Sequence, residues 1–168
     1  MAVQVVGYEA EGWGVGELWL DGERLLAHEL PRWGRALGAG QAPPLPDRFV
    51  AYFRGERTDF GDVELELDWC TPFQRAVTNA LRAVPYGETV TYGELAARAG
   101  FPKAQRAVGS FCANNRFAIV VPCHRVVASG SLGGFGDLGA DYKKRLLALE
   151  GVTGVGAGLA ATENRARP

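Results

Sequence analysis

Val121-Pro122-Cys123-His124-Arg125-Val126-Val127 is the stretch on which the reading of this chain turns. An apolar run from Ala118 to Val121 drives into a proline. A cysteine, a histidine and an arginine follow, then two valines. Valine and isoleucine favour extended backbone, whereas Pro122 lacks a ladder donor and confines pairing to the edge or end of a strand. The expectation is a buried strand that ends at Cys123, with the thiol on a rigid base facing a cleft. A free thiol has a pKa of about 8.5, so it is a nucleophile only when a neighbour withdraws its proton. His124 is the nearest base. Adjacent residues of an extended chain point to opposite faces, so the pair cooperates only through a bridging water or a turn at Cys123. A buried structural cysteine beside a surface histidine is the competing reading, and the flanking sequence decides between them.

Upstream, Thr91 caps a helix that runs through Ala99, with Leu95 and Ala96 inside and Gly100 just past its end. Phe101-Pro102 makes a turn, and a second helix follows over about 103–113, with Ala107, Val108 and Phe111 facing inward. Two short helices joined by a glycine-containing turn, the second one basic, form a helix-turn-helix pattern. Ala107, Gly109 and Ser110 are small enough for that helix to approach a duplex backbone, or to pack tightly in a core. Before it, Thr71-Pro72-Phe73-Gln74 gathers three helix-start signals: a cap, a proline at the first position and the glutamine of a capping box. That helix carries its apolar stripe to about Val84, where Pro85-Tyr86-Gly87 stops it.

Downstream, a glycine-rich loop spans 130–139. An amphipathic helix then covers 140–150, with Tyr142, Leu146, Leu147 and Leu149 apolar and Lys143, Lys144 and Arg145 expected in solvent. Glu150 ends it, where a carboxylate opposes the helix dipole by some tenths of a kcal/mol, which hints at another task. Residues 2–30 read as a meander of short strands broken at Gly12 and at Asp21-Gly22, a hairpin signal. A Gly/Ala/Pro loop at 34–46 closes the meander. Asp47 is expected to cap a short helix bearing Phe49, Val50, Tyr52 and Phe53, and 63–67 reads as extended. His28 stands alone there and is read as a surface or hydrogen-bonded residue.

The 168 residues suit one large domain or two small ones, and no apolar run approaches the roughly 20 residues of a membrane span. No secretory pattern opens the chain, so a cytoplasmic protein is expected. Cys70, Cys112 and Cys123 have no paired-cysteine spacing, which points to reduced thiols and no cysteine-built zinc site. The net charge of −1 hides two unlike halves. Residues 1–69 hold 13 acidic and 6 basic side chains, and residues 70–168 hold 6 acidic and 12 basic ones. Between Glu94 and Asp137 there is no carboxylate, while Arg98, Lys103, Arg106, Arg116 and Arg125 all fall there. A local basic surface binds phosphates whatever the total charge.

A cysteine, a histidine and a carboxylate support either acyl transfer or attack of the thiolate on an alkyl carbon. The second path ends in a thioether that water does not cleave, so such a protein acts once. The basic helix pair favours an alkyl group carried on nucleic acid. With Pro122-Cys123-His124-Arg125-Val126, Arg106-Ala107-Val108-Gly109, Asn115 and Leu149-Glu150-Gly151, the chain resembles the O6-alkylguanine-DNA alkyltransferase family. Thr71-Pro72-Phe73-Gln74, the run from Pro85 to Tyr92 and, more weakly, Tyr52-Phe53-Arg54-Gly55 extend the match over about 47–151.

The resemblance implies an α+β fold. An N-terminal subdomain with a small antiparallel sheet (1–69) precedes a mostly helical, winged-helix-like domain carrying the helix-turn-helix and the site (70–151), then a frayed tail (152–168). It implies Cys123 as alkyl acceptor, His124 as its base through a water, Glu150 orienting the imidazole, and Asn115 bracing the turn. Arg106 would fill the gap left by a flipped base, and Tyr92 would press on the 3′ phosphate. Ala107, Gly109 and Arg125 would lie at the DNA, with Pro122, Val126, Phe135 and Gly136 around the pocket. The implied partner is duplex DNA containing O6-alkylguanine, met by a monomer without cofactor, metal or membrane. Two departures stand out: Arg116 replaces the family's usual proline after the asparagine, and the lid reads Gly134-Phe135-Gly136-Asp137-Leu138-Gly139, without a tyrosine hydroxyl and one glycine. The rival readings are a lesion sensor of the same family, which would lack the cysteine, a helix-turn-helix regulator, and a cysteine hydrolase.

Overall fold

The computed structural model describes residues 2–38 and 44–153, in two compact units. Of these residues, the first unit comprises those from 2 to 68 together with Arg116–Val120, and the second comprises 69–115 and 121–153.

In the first unit β1 (Val3–Ala10), β2 (Gly14–Asp21) and β3 (Arg24–Arg32) form an antiparallel sheet in the order β1-β2-β3. The Asp21-Gly22 signal is realised: Asp21 pairs with Arg24 across a two-residue connection. Alternation along the strands turns Val6, Tyr8, Leu18, Leu20 and Leu25 inward. The helix α1 (Pro44–Phe53) supplies Phe49, Tyr52 and Phe53 to the same core. It begins three residues before Asp47, so Asp47 lies in its first turn and is not its cap. Prolines at 44 and 46 fit there, because the first turn has no intrahelical acceptor for their missing donors. The segment 63–67 is held to β3 by a single bridge, Leu65 beside Leu25.

His28 sits at the centre of this unit, buried and not at the surface. Its Nδ1 donates to the Ala118 carbonyl at 2.6 Å, and the Tyr8 hydroxyl donates to Nε2 at 2.6 Å. The ring lies 4.2 Å from Phe49, centroid to centroid. Burial among aromatics lowers its pKa to about 4, against the smaller upward pull of the Ala118 carbonyl. Unfolding raises that pKa toward 6.5, so the unfolded chain takes up the proton first as pH falls. Stability supplied by neutral His28 is thus complete above about pH 6.5 and drains away down to pH 4. It amounts to about 3 kcal/mol across that window. Urea unfolding of wild type and His28→Gln checks this: the gap between their stabilities should narrow by about that amount from pH 7 to pH 4.

The second unit opens with α2 (Pro72–Arg82), whose N-cap Thr71 and Gln74 form the expected capping box. β4 (Val90–Thr91) leads into α3 (Tyr92–Arg98), also started by a capping box, from Thr91 and Glu94. α3 ends in a Schellman turn at Gly100, with Phe101 N donating to Ala96 O and Gly100 N to Ala97 O. α4 (Gln105–Ala113) completes the helix-turn-helix. Val108 is its buried residue and Phe111 is half-buried, but Ala107 is exposed rather than inward. A single turn of 3₁₀ helix, Cys123–Arg125, precedes β5 (Val126–Val127), which pairs in parallel with β4. α5 (Gly139–Leu149) closes the unit, with Leu146 and Leu147 buried. The expected frayed tail falls almost wholly on 154–168, outside the described residues. None of the helices described is long and apolar enough to cross a membrane.

Candidate active site

The run before Cys123 does not form the expected strand. Ile119 takes φ 75°, a left-handed conformation that a β-branched residue adopts only under strain and that breaks extended backbone. Pro122 then makes an inverse γ-turn at φ −81° and ψ 70°, with Cys123 N donating to Val121 O at 2.8 Å. Arg125 N donates to Pro122 O at 2.9 Å and closes the 3₁₀ turn. The turn at Cys123 that cooperation with His124 called for is therefore present. Asn115, just past α4, donates from Nδ2 to Val121 O at 2.8 Å and so braces the turn.

Cys123 is buried and lines a cavity of about 230 Å³. The other walls come from Tyr92 on α3, from Gly109, Cys112 and Ala113 on α4, and from the loop residues Gly134, Phe135 and Gly136. Burial pushes the Cys123 thiol well above its usual range, so the resting group is a thiol and needs a base. His124 is buried beside it in sequence, and its Nε2 donates to Glu150 Oε2 at 2.6 Å. That bond fixes the tautomer and leaves Nδ1 as the proton-accepting nitrogen. Burial lowers the His124 pKa, and the Glu150 carboxylate counters part of that loss.

Glu150 is the C-cap of α5, held by a second Schellman turn in which Val152 N donates to Leu147 O at 2.8 Å. Gly151 supplies the required φ of 88°, which explains the Glu-Gly pair. The carboxylate accepts four bonds: from His124 Nε2, from Arg125 Nε at 2.9 Å and Nη2 at 3.1 Å, and from Gly87 N at 3.0 Å. Burial alone would raise its pKa, but His124 and Arg125 together hold it well below the usual carboxylate range. The arrangement is a thiol on the wall of one small cavity, followed in the chain by an oriented imidazole and its buried carboxylate partner. It is suited to drawing a proton from a buried sulfur.

A family profile described as 6-O-methylguanine DNA methyltransferase, DNA binding domain, matches residues 72–152. A curated relative, the methylated-DNA--protein-cysteine methyltransferase of Mycolicibacterium paratuberculosis, is 56% identical over 105 residues, 62% of this chain and 62% of the relative. The chain thus spans less than two thirds of that relative's length. The solved Mycobacterium tuberculosis enzyme in complex with DNA aligns over 94% of this chain and 98% of its own, at 38% identity and TM-score 0.74. The O6-methylguanine-DNA methyltransferase of Pyrococcus kodakaraensis aligns over 90% and 100%, at 27% identity and TM-score 0.68. The chain belongs to the O6-methylguanine-DNA methyltransferase family.

Within this alkyltransferase fold the residues singled out from sequence are distributed unequally. Cys123, His124, Glu150 and Asn115 come together as described. Phe135, Gly136 and Tyr92 line the cavity, and so does Gly109, which sequence had placed at the DNA. Gly133, at φ 79°, lies against the Tyr92 ring so closely that a Cβ would stand 2.9 Å from the hydroxyl oxygen. Arg106 and Ala107 are exposed on α4. Pro122 and Val126 are buried and are not among the lining residues. Arg125, expected at the DNA, is likewise buried, with Nη1 donating to Val84 O at 2.8 Å while Nε and Nη2 clamp Glu150. A guanidinium that matches a carboxylate fork is more favourably kept there than on the surface.

Lys143 is the residue that sequence misplaced most. It is fully buried, and Nζ donates to the carbonyls of Val126 and Gly134, the latter at 3.1 Å. The ammonium lies 5.7 Å from the Tyr92 ring centroid. Burial lowers its pKa to about 8, and the thiols of Cys112 and Cys123 pull it back up. It ties the lid to β5 and places a positive charge near the acceptor. Lys143→Met should slow alkyl transfer about tenfold or more at pH 7, with the deficit closing above about pH 8 as the wild-type ammonium deprotonates. Single-turnover rates from pH 6.5 to 9 check this.

Proposed function

We propose that this protein repairs O6-alkylguanine in DNA directly, as a cytoplasmic monomer, by moving the alkyl group to Cys123. The observation that carries the reading is the buried Cys123 thiol opening on a small cavity, next in sequence to the His124–Glu150 pair. In the step, the Cys123 proton passes through a bridging water to His124 Nδ1, and Glu150 stabilises the resulting imidazolium. Sulfur attacks the alkyl carbon, the O6–carbon bond breaks, and its electron pair returns to the guanine, which takes up a proton. A thioether remains on the protein, so each molecule acts once.

The O6 carbon is out of reach inside a duplex, so the base must be extruded at a cost of a few kcal/mol. The exposed face of α4, bearing Arg106, Ala107 and Ser110, is small and basic and suits the minor groove. Arg106 would occupy the space the base leaves, and Tyr92, on the cavity wall, would contact the extruded guanine. Arg106→Ala should then slow repair of a duplex by roughly 30-fold, equivalent to about 2 kcal/mol of uncompensated flipping. Reaction with free O6-benzylguanine should be little changed. Equal losses on both would remove Arg106 from flipping. The function itself is tested by digesting an O6-methylguanine duplex after incubation. Guanine should be restored up to one base per protein molecule, and turnover beyond that would contradict the reading.

A further inference from the structure

The acceptor cavity holds a second thiol. Cys112 lies on the cavity face of α4, in register with Gly109 and Ala113, and lines the wall that Cys123 shares. Both thiols therefore open on the same cavity of about 230 Å³. Tyr92 shares that lining with the two cysteines. The backbones that carry them are cross-braced, because Asn115, immediately past α4, bonds Val121 immediately before the Cys123 turn. Cys112 is half-buried and Cys123 is buried, so Cys112 is the more accessible of the two to an oxidant. Cys70 is not among the lining residues.

We propose that Cys112 and Cys123 form a reversible disulfide inside the acceptor cavity, driven by a hydroperoxide, that switches the acceptor off. The Cys112 thiolate attacks the peroxide oxygen, the O–O bond breaks, and Cys112 becomes a sulfenic acid while the peroxide leaves as an alcohol or water. The Cys123 sulfur then attacks the Cys112 sulfur, the S–O bond breaks, and water departs with the Cys123 proton. Two thiols have lost two electrons to one peroxide. The acceptor is thereby held at the disulfide level, short of the sulfinic and sulfonic acids that no thiol reverses. Its consequence for repair rests on the alkyl-transfer reading; the disulfide itself does not.

The test is hydrogen peroxide treatment of the whole protein, alkylation of remaining thiols, and non-reducing peptide mapping. The expected result is a Cys112–Cys123 cross-link with the mass of two hydrogens lost, and at least tenfold less methyl uptake from an O6-methylguanine duplex, restored by dithiothreitol. Cys70→Ser should behave identically, whereas in Cys112→Ser the loss of uptake should no longer be restored by dithiothreitol. Oxidation of Cys123 to sulfinic acid in wild type without the cross-link, or a cross-link through Cys70, would overturn the proposal. A Cys112–Cys123 cross-link in a protein whose reduced form takes up no methyl would leave the disulfide standing and defeat the alkyl-transfer reading.

Discussion

Cys123→Ser should take up no alkyl group from an O6-methylguanine duplex, a loss on the order of 10⁴-fold or more, while still binding that duplex. The substitution changes one atom in a cavity whose other walls stay in place. The serine hydroxyl is a far poorer nucleophile, and a buried imidazole of lowered basicity does not ionise it. Binding depends on α4 and on the cavity, neither of which needs the sulfur. The fold should tolerate the change, since Asn115 still holds Val121 immediately before the turn. Gel-shift titration and transfer assays on one preparation separate the two properties. Loss of both together would mean that the variant had collapsed, and transfer unchanged would remove Cys123 as acceptor.

Glu150→Gln should be costly twice over. The carboxylate accepts from His124, twice from Arg125, and from Gly87 N. A glutamine keeps one acceptor oxygen and turns an NH₂ toward groups that are themselves donors. Arg125 would be left buried and charged without its counter-ion, a situation that typically costs about 3–5 kcal/mol. His124 would lose the group that raises its basicity, so proton withdrawal from Cys123 should slow transfer on the order of 10³-fold. Part of that loss should return at alkaline pH, where the thiol ionises without help. In the wild type the carboxylate's depressed pKa means its stability contribution is present above about pH 4.5 and is lost only as pH falls further toward the folded value. Thermal unfolding and a transfer pH profile of this variant separate its structural from its chemical share.

The helices of the second unit were legible because their ends carry chemistry that acts over three or four residues. Thr71 with Gln74 marked the start of α2, and Gly100 marked the end of α3. Partners far apart in sequence were not legible. Arg125 reads as one more base in a basic stretch until α5 brings Glu150 to it from 25 residues away. Lys143 was assigned to solvent by residue type, yet it lies three and four residues before Leu146 and Leu147, on the face they bury. The helical period held the information, and the lysine's usual preference concealed it. Cys112 shares a face with Gly109 and Ala113 by the same spacing, but that face became a cavity wall only when Cys123 and the lid packed opposite it. The start of α1 was hidden in a proline-rich stretch that composition marks as loop. The expected strand before Cys123 failed on the left-handed Ile119, which no local pattern signals.

Intact-protein and peptide mass spectrometry after mixing with an O6-methylguanine duplex tests the central claim most directly. The account predicts a single added methyl, saturating at one per protein and located on the Cys123 peptide. An unmodified protein that still prefers the lesion duplex would contradict it and make this chain a sensor of alkylated DNA rather than its repairer.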